Sequence, residues 1–169
     1  MDHNLVTLVA ITGGLLVAAL GLAALFRPSR AQRLPYALRP SLLTTTERAF
    51  YHVLAQAVGN RWVICPQVRL ADVIEVRRGT AERQGHFNRI KAKHLDFVIA
   101  DARTLAPLSG IELDDRSHRR ADRRERDAFL DKACADMGLP LLRIPVGRAY
   151  DVTELAARLQ QAIGQRNAA

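Results

Sequence analysis

The sequence predicts an α/β fold: a mixed sheet built in the order helix, three strands, helix, strand, helix, standing behind one N-terminal transmembrane helix. Three observations carry this expectation. Residues 5–26 hold no ionisable side chain over 22 positions, which as a helix would span about 33 Å, the thickness of a bilayer's hydrocarbon. Two segments, opening at Thr44 and at Asp151, pair a capping residue with a Glu three positions on and continue with apolar residues at helical period. Between them, "LDFVIADARTLAPLSGIELDD" reads as two apolar strands joined by a turn, with acids inside and at the ends of both runs.

The order of the chain follows from these. After the span at 5–26 comes a basic juxtamembrane linker, 27–43, with three prolines and four arginines, and then a domain over 44–169, an ordinary size for one core. "MDHN" lacks the positive charge of a cleaved leader, which is the competing reading of the first segment. Arg27, Arg30, Arg33 and Arg39 follow the span, while only Asp2, His3 and the terminal amine precede it, so the N-terminus is expected outside and the domain in the cytoplasm. Cys65 and Cys134 have no Cys or His at ligand spacing, which excludes a disulfide framework and a structural zinc site and suits a reducing compartment.

Within the domain, "TTTERAFYHVLAQAVG" reads as a helix buried through Phe50, Val53, Leu54, Ala57 and Val58 and stopped by Gly59. "RWVICPQVRLADVI" reads as a strand of about eight residues, with Pro66 suiting an edge or a bulge. A polar, basic stretch with a short helix near 87–92 leads to the two strands of the hairpin. "RSHRRADRRERDAFLDKACADMG" is a helix stopped by Gly138, "LPLLRIPV" a short buried strand, and "DVTELAARLQQAIG" a helix buried through Val152, Leu155, Ala156, Leu159 and Ile163.

The carboxylates of the hairpin are the candidate site. A turn centred on Thr104 pairs residues whose numbers sum to 208 and sets Asp96 opposite Glu112, about 5 Å apart at Cβ. Asp114 shares the Glu112 face by strand alternation. Like charges opposed on a half-buried face repel unless a proton or a cation lies between them. A hard divalent ion, Mg2+ or alternatively Mn2+, suits such oxygens and a phosphate substrate. A register slip of one residue would send the two acids to opposite faces.

An Asp entering the second strand, an acid-x-acid element in the third and a Glu-bearing first helix together resemble the PD-(D/E)XK nuclease superfamily. "LDFVI", "IELDDRSH" and "GLPLLRI" resemble its very-short-patch-repair endonuclease branch, and most closely a bacterial family called domain of unknown function 2726, over roughly residues 44–147. The resemblance implies a restriction-endonuclease-like core, αβββαβ plus a C-terminal helix, in a bacterial protein, for which the apolar run at 5–26 predicts the inner membrane. It also implies Mg2+ ligation by Asp96 and Glu112, with Asp114 beside them and Glu47 reaching in from the first helix, for in-line hydrolysis of nucleic-acid phosphodiesters, DNA before RNA. Where that superfamily commonly carries a Lys, this chain has Asp114. His118 as general acid or base and Arg126 as fixed positive charge are the expected substitutes, with Lys93 a further candidate.

Each residue also has a plainer reading. Glu47 at a capping position needs no catalytic duty, the strand acids can be solvated ends, His118 can begin the next helix, and the six arginines of "RSHRRADRRERD" can be an exposed face, from which Arg123 and Arg126 are kept. Residues 27–93 carry 13 Lys or Arg against 4 acids, whereas 94–169 carry 12 of each. The basic loop with Arg89, Lys91 and Lys93 therefore leads toward the acids as a phosphate track would. Aromatic residues are too sparse there for single-strand stacking. Two alternatives to the enzyme stand open: a catalytically inactive nuclease fold kept as a membrane-tethered nucleic-acid-binding module, and an interaction protein lying on anionic lipid.

Overall fold

The Thr44 hydroxyl accepts the Glu47 N–H at 3.3 Å while Glu47 Oε2 accepts the Thr44 N–H at 2.7 Å, a reciprocal cap that starts the first helix of the domain. This computed structural model describes residues 12–14, 16–18, 20–22, 34–114, 121–147 and 149–168. The chain divides into two units, Met1–Arg39 and Pro40–Ala169. In the first, residues 12–14, 16–18 and 20–22 are helical, but most of the span expected over 5–26 lies outside the described residues. Among the described residues no helix is long and apolar enough to cross a membrane, so the transmembrane helix finds no support there.

The second unit contains α1 (Thr45–Val58), β1 (Trp62–Arg69), α2 (Leu70–Val73), α3 (Arg83–Lys91), β2 (His94–Asp101), β3 (Pro107–Asp114), α4 (Ala121–Asp136), β4 (Leu141–Pro145) and α5 (Val152–Ala168). The strands form one mixed sheet in the order β1-β2-β3-β4, antiparallel at the first two junctions and parallel between β3 and β4. The helix α1 stops at Gly59, whose φ of 57° a side chain would resist. Asp151 Oδ1 caps α5 by accepting the Glu154 N–H at 2.8 Å. The helix α3 begins four residues before the expected Phe87. Its N-cap, Glu82, is left-handed and makes no side-chain cap bond, so no local spacing announced it.

The hairpin closes through Asp101. Its Oδ1 accepts from the Thr104 N–H at 2.7 Å, the Thr104 hydroxyl at 2.8 Å and the Arg103 N–H at 3.0 Å. These bonds, the Thr104 backbone one foremost, lower its pKa from the ordinary value. The pairs Phe97–Ile111, Val98–Gly110 and Ile99–Ser109 are those of a turn centred on Thr104. A register shift between Ile99 and Ala100 absorbs the extra turn residue.

Each sheet face packs its own core. Toward α1 and α5 lie Phe50, Leu54, Phe97, Ile99, Ile111, Ile144 and Leu159; toward α3 and α4 lie Ile90, Leu95, Val98, Leu130, Cys134 and Leu139. Strand alternation alone would put Leu95 with Phe97, and Val68 with Ile64, yet Leu95 and Val68 pack with the second core. Both breaks in alternation fall in the row holding Gln67 and Asp96, where Gln67 has φ 52°. A left-handed residue reverses the pleat and sends the next side chain to the other face.

Candidate active site

Four strands contribute to one row. Gln67 and Asp96 lie between the pairs Pro66–Phe97 and Val68–Leu95, Glu112 lies one step beyond the Phe97–Ile111 pair, and Glu112 is in register with Arg143 of β4. Phe97–Ile111 is the last pair of the β2–β3 ladder, and beyond it the Asp96 carboxylate takes over: its Oδ2 accepts the Leu113 N–H at 2.8 Å. A charge-assisted bond of that kind fixes the carboxylate against the strand that carries Glu112. Asp96 is half-buried and Glu112 is 8 % exposed.

Glu47 does two jobs at once. One oxygen caps α1 and the other accepts from Gln67 Nε2 at 2.9 Å. The first helix is thereby tied to the row through Gln67, a residue that the strand pattern alone gave no reason to single out.

Asp114 faces an arginine. Arg143 Nη1 reaches its Oδ1 at 2.9 Å, while Nε reaches Asp131 at 3.0 Å and Nη2 lies 3.7 Å from Asp127. Burial works against the guanidinium charge, but the hydrogen bond to Asp131 and the attraction of Asp114 and Asp131 outweigh it and raise its pKa. One guanidinium is thus shared among three carboxylates. The signal was visible in "LPLLRIPV", a lone Arg in an otherwise apolar strand, but its partners sit on β3 and α4. The Cys134 thiol is pushed up to about 11 by burial first and then by Asp131 and Glu112, with Arg143 opposing. Glu112 therefore lends its charge to the α4 side of the sheet.

The expected residues do not all come together. Among the described residues no group of three or more His, Cys, Asp or Glu side chains is placed to hold a metal ion, and Asp114 is engaged by Arg143 rather than standing with Asp96 and Glu112 as a third ligand. His118 lies outside the described residues. Arg123 and Arg126 fall on α4, but their side chains lie outside the described residues too. Lys91 is exposed at the end of α3, and Arg89 and Lys93 pack over the Phe129 ring of α4.

Two carboxylates on adjoining strands are the oxygen donors a hard ion takes when water and substrate complete its shell, because Mg2+ is commonly held by one or two carboxylates plus phosphate. The donor chemistry of Asp96 and Glu112 fits that group. No curated protein and no solved structure matches the chain. The model of a family described as protein of unknown function (DUF2726) matches residues 39–163, a stretch that contains the whole Gln67–Asp96–Glu112–Arg143 row, and the chain belongs to that family.

Proposed function

We propose that the domain hydrolyses nucleic-acid phosphodiesters, DNA before RNA, with a divalent ion held by Asp96 and Glu112, and that the apolar run at 5–26 tethers it to the cytoplasmic side of a membrane. The observation that carries this is the Asp96–Leu113 bond: it holds one acid beside the strand of the other where the β2–β3 ladder stops. The element order and the mixed four-stranded sheet support a restriction-endonuclease-like core, the fold of the superfamily the sequence resembles. A bound Mg2+ would supply Lewis acidity toward the phosphate. The chain's own residues orient that chemistry: the Leu113 N–H aims Asp96, burial keeps Glu112 from roaming, and Glu47 through Gln67 ties α1 to the same row. His118 is the proposed proton carrier.

A second reading, a nucleic-acid-binding module without catalysis, is favoured by one feature. Asp114 stands at the strand position where the superfamily carries a Lys, and the arginine that meets it is shared among three carboxylates, so that cation brings no net positive charge to a phosphate.

Calorimetric titration of Mg2+ or Mn2+ into the full chain tests the proposal. Asp96→Asn keeps an acceptor oxygen for the Leu113 N–H and removes the charge. The wild type is expected to take up the ion with measurable heat and to cleave duplex DNA, and the variant to do neither. Equal uptake by both overturns the metal site. Uptake without cleavage by the wild type selects the second reading.

A further inference from the structure

Arg89 Cζ lies 4.6 Å and Lys93 Nζ 4.9 Å from the centroid of one ring, that of Phe129. The two charges are therefore less than a Debye length apart, about 10 Å at 0.1 M ionic strength. Among the described residues no carboxylate pairs with either. The ring face attracts both cations and the C-terminal end of α3 favours them, but neither neutralises them. Like charges gathered with no counter-ion among the described residues make a site for an anion.

The backbone around the pair is pinned. The Lys93 carbonyl accepts the Leu70 N–H at 2.8 Å and its N–H donates to the Ile90 carbonyl at 3.2 Å, so Lys93 is held between α2 and α3 while Arg89 is exposed. Asp96 follows Lys93 by three residues, about 10 Å along an extended strand. With its ring occupied by cations, Phe129 is no platform for a base. Recognition here would run through the backbone phosphate and be indifferent to sequence.

We propose that Arg89 and Lys93, gathered over Phe129, grip the phosphate backbone of a nucleic acid and lead it toward the Asp96–Glu112 row. The choice of nucleic acid rests on the proposed function; the anion site itself rests on the cation pair.

The test is binding of a labelled DNA duplex to the full chain in EDTA, across a series of salt concentrations. Divalent ions are absent, so the outcome is separate from that of the Asp96 titration. Replacing both cations, Arg89→Gln with Lys93→Gln, is expected to lower affinity at least tenfold and to reduce the slope of log K against log salt by about two. Removing the same charge elsewhere, Arg48→Gln with Arg61→Gln, should leave that slope unchanged. Phe129→Leu keeps both charges but takes away the ring, and should weaken binding with little change in slope. Equal losses from the two double variants would mean that only net charge matters and overturn the proposal. So would duplex affinity untouched by Arg89→Gln with Lys93→Gln while preference for phosphatidylglycerol over phosphatidylcholine vesicles falls, which would assign the pair to lipid phosphate.

Discussion

The two faces of the sheet bury different things. Toward α1 and α5 the described core is apolar and aromatic: Phe50, Leu54, Phe97, Ile99, Ile111 and Leu159 are fully buried, and Phe50 packs tilted by 49° against Phe97 at 5.6 Å and edge-on to Tyr150 at 5.0 Å. Toward α3 and α4 the described apolar set is smaller, and the same face carries Glu112, Arg143 and the anionic surroundings of Cys134. Buried charge costs stability unless it is paired. A sheet can hold the charges of Glu112 and Arg143 on one face when the other face supplies the hydrophobic stabilisation, and that division separates where this domain is held together from where much of its chemistry would lie.

The sharpest way to break the comparison is to cut into each face in turn. Phe97→Ala deletes a fully buried ring and should cost about 3–5 kcal/mol, read as a lower urea midpoint that salt hardly moves. Arg143→Ala on the other face should cost less, about 1–2 kcal/mol, because Asp114 and Asp131 are 44 % and 53 % exposed and water screens them. Its loss should also shrink as salt rises. A salt-independent loss there, as large as that of Phe97→Ala, would mean that the two faces are held in the same way.

The smallest effect lies in the Cys134 thiol. Raised to about 11, it stays protonated at neutral pH, so iodoacetamide should modify the half-buried Cys65 well before Cys134. The folded state keeps that proton while an unfolded thiol releases it near about 8.5. Its contribution to stability is therefore fully present below the unfolded pKa and declines as pH rises through the folded one. Cys134→Ala should flatten this alkaline limb in a pH series of thermal midpoints; an unchanged limb would assign it to other groups.

Much of this architecture was legible without coordinates, for local reasons. Thr44 with Glu47 and Asp151 with Glu154 announce helix starts because the bonded partners are three residues apart. Asp96 and Glu112 were placed opposite each other on neighbouring strands because a hairpin centred on Thr104 fixes register by counting. The start of α3 at Arg83, with no capping side chain, left nothing to count. Nor did the pleat reversal at Gln67, where a left-handed backbone turns Val68 to the second core.

What the sequence alone determined was the inventory and its short-range order: an ionisable-free run, capped helices, an acid-bearing hairpin and a basic loop before it. Tertiary structure alone decided which distant groups meet. Arg143 reaches Asp114 across 29 residues of chain because β4 lies parallel to β3, and Glu47 meets Gln67 because α1 packs over the sheet. Spacing along the chain encodes bonds between near neighbours, whereas contacts between strands and helices far apart in sequence exist only once the sheet has chosen its order.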